Sequence, residues 1–284
     1  KRGAYPVMRI GFPWENYVYY NLADEQQLNH FPQLAYDETK KIDVIISILA
    51  GKNSRQLTNI DPRLMSIRQR VVEPIKIEQL KKRWVIFDYP SDSLAQEAEM
   101  STEEFEDFVY DACIHDWEKR SKELDNAIKI MNNGKMIRIV GEETDIIFSN
   151  IGRKFVKGDG THNMPDGEIF TAPVETSVNG YIKFSFPAIY GGREVGGVSL
   201  KFKNGEIIEA RAEKNEAFLK KMIETDKGSK YLGEVGIGLN PGITKPIKNI
   251  LFDEKMNKTI HMAIGSAYEE CGGVNKSAVH WDII

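Results

Sequence analysis

The residues best suited to chemistry are concentrated near the end of the chain, where histidines and carboxylates recur at short spacings. His280 and Asp282 stand two residues apart in a run, residues 278–284, that reads as a β-strand. Strand side chains alternate between two faces, so these two would share one face. An imidazole beside a carboxylate suits a divalent cation. A surface histidine near a surface aspartate is the alternative reading of so short a motif.

Four further residues upstream have the chemistry to complete a cation site. Glu168 follows the turn sequence Pro165-Asp166-Gly167, just where a short strand should begin. Glu234 lies among glycines at alternate positions, which is typical of a strand that another group approaches closely. Glu254 precedes His261 by seven residues, so the two could share one face of a helix. Each carboxylate taken alone also fits a solvated acid.

Taken together, these side chains form a donor set of glutamates, histidines and one aspartate, without a thiolate. That composition suits one or two ions of Zn²⁺, Co²⁺, Mn²⁺ or Mg²⁺, whereas a structural zinc site would use cysteines. Two cations about 3.5–4 Å apart can clamp a carbonyl oxygen and present a hydroxide. The set therefore predicts a hydrolytic metal site.

Composition excludes several other classes of protein. The 284 residues, 41% hydrophobic and 28% charged, suit one large globular domain or two smaller ones. A net charge of −4 argues against nucleic-acid binding by bulk electrostatics, and no apolar run approaches the roughly 20 residues of a membrane span. Two cysteines are too few for a disulfide framework, so we expect a reducing cytoplasm. No signal peptide is recognisable, although the chain opens at Lys1 rather than Met.

The first half of the chain alternates between strand and helix patterns. Strands are expected at residues 5–11, 41–51 and 83–89, the second of them buried on both faces. Helices are expected after Asp61-Pro62 and around residues 76–82. Two helices follow Pro90, the second with a capping box at Ser101 and Glu104, and a long charged helix covers residues 117–131. This order predicts a Rossmann-like, open-sheet α/β domain over residues 1–135.

From Met136 the pattern changes to short alternating strands. They are expected at residues 136–140, 144–149, 180–186, 198–203 and 206–212. Asn204-Gly205 is a hairpin turn signal, and one helix is expected over residues 216–225. Residues 136–284 are therefore predicted to form an α+β, β-rich, metal-binding catalytic domain.

Motifs at these positions resemble the aminopeptidase T and aminopeptidase S metallopeptidases, including archaeal leucyl aminopeptidases. The order of the motifs agrees as well as their residues, and the resemblance covers nearly the whole chain. The matching stretches are residues 163–173, 225–234, 251–254, 261–265 and 280–282, with Tyr89-Pro90 and Asp116-Trp117 in the first half.

The resemblance implies the site residues and the reaction. The ligands of a two-metal centre would be Glu168, Glu234, His261, His280 and Asp282, with Glu254 as a further ligand. Glu234 is also the first candidate for proton acceptor, and Tyr268 would donate a hydrogen bond to the oxyanion. Which carboxylate bridges the metals stays open. Members of the family are two-domain, dimeric, intracellular exopeptidases, so peptide substrates and a homodimer are expected, without nucleic acid or membrane partners.

Two departures and two alternatives accompany this prediction. Family members usually have further sequence before the position of Lys1 and a β-rich tail after the His-x-Asp motif, so we expect an incomplete or fragmentary chain. A metal-dependent amidase or deacylase on the same scaffold is the first alternative. The second is a metal-binding or assembly protein without turnover.

Overall fold

The computed structural model describes residues 3–284, and at Pro62 it describes only the backbone. The fold is mixed α/β. The α-helices are α1 (Glu15–Leu22), α2 (Glu25–Asn29), α3 (Gln33–Lys41), α4 (Pro62–Leu80), α5 (Asp92–Glu97), α6 (Thr102–Cys113), α7 (Trp117–Asn133), α8 (Glu216–Ile223) and α9 (Ile250–Asp253). The strands are β1 (Val44–Leu49), β2 (Arg83–Asp88), β3 (Met136–Gly141), β4 (Thr144–Ser149), β5 (Val156–Gly158), β6 (Asn163–Met164), β7 (Glu168–Thr171), β8 (Asn179–Lys183), β9 (Ala188–Tyr190), β10 (Arg193–Val195), β11 (Ser199–Lys203), β12 (Glu206–Arg211), β13 (Leu232–Gly238), β14 (Thr259–Gly265) and β15 (His280–Ile283).

The first half of the chain is built on a small parallel sheet in the order β1-β2-β6. Its third strand, β6, comes from beyond residue 135, so the sheet joins both halves of the chain. Helix α4 begins after Asp61, whose side chain accepts a hydrogen bond from the Arg63 amide at 2.9 Å. The helices predicted after Asp61-Pro62 and around residues 76–82 are one continuous helix that runs through Pro74.

Two expectations for the first half are wrong. Residues 5–11 form no strand, and Tyr5 and Ile10 are 96% and 77% exposed. An apolar pattern becomes a strand only where its backbone pairs with a neighbour, and none of the strands in residues 3–284 lies beside it. Strand β1 is not buried on both faces, since Ile46 and Ile48 are largely exposed.

Two five-stranded antiparallel sheets form the centre of the second half. We call β15-β14-β13-β7-β5 the donor sheet and β12-β11-β8-β4-β3 the cover sheet. They pack face to face, with Val235, Met262 and Trp281 of the donor sheet against Phe148 and Leu200 of the cover sheet. The predicted Asn204-Gly205 turn joins β11 and β12, and both residues have the positive φ that this turn requires.

The other face of the donor sheet is closed at one side by α6 and by residues 240–256. Phe105 and Val109 of α6 pack with Ile243 and Phe252 in a second core cluster. The helix starts with the predicted capping box, in which the Ser101 and Glu104 side chains satisfy each other's amides. Among residues 3–284, no helix combines the length and apolar character needed to cross a bilayer.

Candidate metal centre

Strand register brings the predicted ligands onto one face of the donor sheet. In the paired strands, Gly238 lies opposite Glu168, and Gly236 lies opposite His261. Ala263 lies between Glu234 on one side and Asp282 on the other. Because alternate side chains share a face, the donors point away from the core formed with the cover sheet. The predicted shared face of His280 and Asp282 on β15 is confirmed.

Small residues between the donors leave room for their side chains. A Cβ atom on Gly236 would lie 2.1 Å from a ring carbon of His261, so only glycine admits the imidazole there. On Gly238, a Cβ atom would lie 2.1 Å from the Met256 carbonyl oxygen. The close approach predicted from the alternating glycines is therefore confirmed, and His261 is the group that approaches at Gly236.

The inner donor group consists of Glu168, Glu234 and His261. His261 Nε2 lies 3.3 Å from Glu168 Oε2 and 3.4 Å from Glu234 Oε1. All three residues are buried, and their ligand atoms lie within 4.8 Å of one another. Two carboxylates and one imidazole at this spacing could hold a divalent cation.

The outer donor group consists of Glu234, His280 and Asp282. His280 Nε2 lies 3.4 Å from Glu234 Oε2 and 3.5 Å from Asp282 Oδ2. The Nδ1 atom of His280 lies 2.8 Å from the Ser266 carbonyl oxygen, to which it donates a hydrogen bond. That bond fixes the ring orientation and leaves the Nε2 lone pair of the neutral imidazole for a cation.

Unpartnered polar atoms show that a cation fits this donor set. Glu168 Oε2 and Asp282 Oδ1 are buried and have no hydrogen-bond partner among the described residues. A buried polar atom without a partner costs about 1–3 kcal/mol, and more when it is charged. Divalent cations in the two donor groups could satisfy these atoms, because carboxylate oxygens are ordinary ligands of such ions.

The protonation states reflect the crowding of charges at low solvent exposure. Burial raises the pKa of Glu168 to about 8, despite the nearby Lys255 and His261. Burial alone would also raise the pKa of Glu234, but hydrogen bonds from His261 and His280 outweigh it and lower the pKa to about 2. Burial would lower the pKa of both imidazoles, but the neighbouring carboxylates raise each to about 10. Without metal, the imidazoles therefore carry protons around an ionised Glu234.

Glu254 and Tyr268 border the two donor groups without belonging to either. The predicted helix face shared by Glu254 and His261 is wrong, because α9 ends at Asp253 and His261 lies on β14. Glu254 still lies close enough for its charge to raise the pKa of Glu168 and Asp282. The Tyr268 ring packs against His280 with centroids 5.0 Å apart.

Sequence reasoning missed Lys255, which is fully buried beside the inner donor group. Its Nζ atom lies 3.3 Å from Glu168 Oε1 and also pairs with Glu254. No sequence signal distinguishes it, because Asp253-Glu254-Lys255 reads as an ordinary run of surface charges. His162 precedes Glu168 by six residues in sequence, and its ring packs on Trp84 with centroids 4.6 Å apart.

The fold and the donor groups define a candidate metal-binding protein, and comparison with known proteins gives the family. The family model described as thermophilic metalloprotease (M29) matches residues 1–284. The chain therefore belongs to that family. Its structure is similar to wild-type AmpT from Thermus thermophilus, with a TM-score of 0.84 at 25% identity, over 96% of this chain and 79% of that one.

Curated relatives carry aminopeptidase names. Aminopeptidase AmpS of Bacillus subtilis is 43% identical over 37% of this chain and 26% of its own length. Aminopeptidase 2 of Geobacillus stearothermophilus is 25% identical over 97% of this chain and 79% of its own length. The chain thus spans about a quarter of the first relative and about four fifths of the second. The predicted relationship to this metallopeptidase family is confirmed.

Metal affinity should rise with pH between about 6 and 8. In the metal-free site the raised pKa values of His261 and His280 keep both rings protonated, and the raised pKa of Glu168 keeps a proton on its carboxyl over most of this range, so a cation must displace these protons. Each proton released makes the affinity change about tenfold per pH unit. Calorimetric titration with Zn²⁺, in two buffers of different ionisation enthalpy, would count the protons.

The matched control for this titration is His30→Ala, since His30 is exposed and lies outside both donor groups. It should release the same number of protons as the unsubstituted chain. Affinity that stays constant across this pH range, without proton release, would contradict the protonation states inferred above.

Proposed function

We propose that this chain is an aminopeptidase that removes N-terminal residues from peptides with the help of two divalent cations. Zn²⁺, Co²⁺, Mn²⁺ and Mg²⁺ all suit its oxygen and imidazole donors. The observation that carries the proposal is the pair of donor groups that share Glu234. The aminopeptidase names of its relatives support the choice of reaction.

Glu234 is the carboxylate that we propose would serve both cation sites, because it belongs to both donor groups. Its Oε1 atom faces His261 and its Oε2 atom faces His280, each at 3.4 Å. Glu168 and His261 would complete the inner ion's ligands, while His280 and Asp282 would complete the outer ion's ligands. When bound, such ions polarise the scissile carbonyl and lower the pKa of water towards about 7.

Glu234 is the first candidate for proton acceptor by sequence, but both of its oxygens face imidazoles of the donor groups, so we propose another carboxylate for that role. Glu254 takes this role in our proposal, because it borders the site and belongs to neither donor group. It would accept the proton of the attacking water and pass it to the leaving amine. The alternative role for Glu254 is the one predicted from the sequence, that of a further metal ligand.

In this proposal Tyr268 would stabilise the negative oxygen of the tetrahedral intermediate. Tyr268 as a whole is 44% exposed, but desolvation around its hydroxyl, followed by the charges of Glu234 and Asp282, raises the pKa of that hydroxyl well above the ordinary value. The hydroxyl therefore stays protonated at neutral pH and can donate a hydrogen bond. Contact with His280 keeps the ring at the edge of the outer donor group.

Three wider features belong to the same proposal. They are a division near residue 135 into a Rossmann-like α/β domain and a β-rich catalytic domain, a homodimer, and a location in the cytoplasm. The change from parallel to antiparallel pairing supports the division, although β6 crosses it. Two free cysteines, both buried, support a reducing compartment.

Hydrolysis of leucyl-p-nitroanilide tests the reaction class. We expect cleavage that is lost on chelation and restored by Zn²⁺ or Co²⁺, since the carbonyl needs a cation for polarisation. The N-acetylated substrate is the matched control, because it lacks the free amine that an aminopeptidase requires. Release of nitroaniline from both substrates would favour an amidase, and metal binding without release from either would favour a non-catalytic protein.

Replacing Tyr268 with phenylalanine tests the oxyanion role. Loss of one such donor typically lowers kcat by about 10²–10³-fold, and we expect a change of that size with KM little altered. Tyr181→Phe is the control, since Tyr181 is exposed on the cover sheet. Steady-state kinetics of the two variants would decide the point, and unchanged turnover of Tyr268→Phe would remove this residue from the mechanism.

A further inference from the structure

Lys255 is a fully buried lysine that the proposed chemistry does not use. Lysine is almost never fully buried unless its charge is paired. Its ammonium lies 3.3 Å from Glu168 Oε1 and pairs with Glu254 on its other side. Burial would lower its pKa, but Glu168, Glu254 and Asp166 outweigh that effect and raise it. The ammonium therefore lies between two carboxylates at the wall of the inner donor group.

Hydrogen bonds fix the backbone around Lys255, and the contacts with Glu168 and Glu254 hold its ammonium. The Lys255 amide donates to the Phe252 carbonyl at 2.9 Å, and its carbonyl accepts from the Asn240 amide at 3.0 Å. The Asn240 side chain in turn donates to the carbonyl oxygens of Ala112 and Asp166. Three separate stretches of chain thus fix the segment that carries the lysine.

The two oxygens of Glu168 have different surroundings. Oε1 faces the Lys255 ammonium, whereas Oε2 has no hydrogen-bond partner among the described residues. Oε2 lies 3.3 Å from His261 Nε2, on the side where the inner ligands converge. Groups that hold the outer side of a ligand commonly set its orientation and its affinity for metal.

We propose that Lys255 is a positioning residue: it holds Glu168 through Oε1 and so leaves Oε2 as the one oxygen offered to a cation in the inner donor group. This inference rests on the proposed function, because it assumes that the inner group binds metal. Simple charge compensation would affect both donor groups, whereas this role concerns the inner donor group alone. Loss of Lys255 should weaken the inner group and leave Glu234, His280 and Asp282 able to bind.

Replacing Lys255 with methionine keeps an unbranched apolar side chain, one atom shorter, and removes the charge and the donors. Loss of a residue that orients a ligand typically costs about 10–100-fold in metal affinity, and we expect a loss of that size at the inner group alone. Titration with Co²⁺, followed by visible absorption and calorimetry, would show one affinity unchanged and one weakened.

Testing Lys255→Met in two further variants would show which donor group has the weakened affinity. In a His280→Ala chain the remaining site is the inner one, so adding Lys255→Met should weaken Co²⁺ binding. In a His261→Ala chain the remaining site is the outer one, so the same addition should change nothing. Lys258→Met is the matched control, because Lys258 is exposed and lies three residues along the same segment.

The possible outcomes separate this inference from the proposed function. Two ions bound by the unsubstituted chain, with both affinities unchanged or equally reduced in Lys255→Met, would overturn the role of Lys255 and leave the metal centre standing. Failure of the unsubstituted chain to bind Co²⁺ would overturn both proposals.

A crystal structure of the metal-loaded, unsubstituted chain decides the matter if Lys255→Met does not fold. Ligation by Glu168 through Oε2 alone, with Lys255 still on Oε1, would support the positioning role. Ligation through Oε1, or a Lys255 side chain turned away from Glu168, would refute it.

Discussion

The burial of charge on one face of a β-sheet is the constraint on which the rest of this structure depends. Four acidic side chains, two imidazoles and one ammonium lie close together with little access to water. Moving an ion out of water costs several kcal/mol unless opposite charges and hydrogen bonds repay it. Lys255 and the two protonated histidines offset part of that cost in the metal-free chain. Divalent cations would offset more of it, so such a crowded donor set favours a metal site.

The opposite face of the same sheet makes this crowding possible. Trp281 lies between His280 and Asp282 in sequence, yet its side chain is buried in the core against Tyr190 and Phe218. A shift of register by one residue would turn the ligands into the core and the tryptophan into the site. Because both consequences are unfavourable, the hydrophobic packing that stabilises the fold also holds the ligands in register.

The sequence allowed prediction of those ligands whose signals are local. The two-residue period placed His280 with Asp282, a turn before Glu168 marked a strand start, and alternating glycines marked the strand of Glu234. The spacing of Glu254 and His261 gave a wrong prediction of one shared helix. Seven residues fit two helical turns, but they also fit a turn followed by a strand, which is what the structure has. Nothing local marked Lys255 as buried, and nothing local showed that residues 5–11 would lack a partner strand. Both depend on contacts between distant parts of the chain.

The central claim is that two donor groups sharing Glu234 hold two cations. Elemental analysis of the protein as isolated, and again after dialysis against Zn²⁺ or Co²⁺ and removal of free metal, tests it most directly. We predict two equivalents of metal for each chain, both removable by a chelator. A chain that retains no metal even after Zn²⁺ or Co²⁺ is offered would show that residues 168 to 282 do not assemble a metal centre, and the account would be wrong.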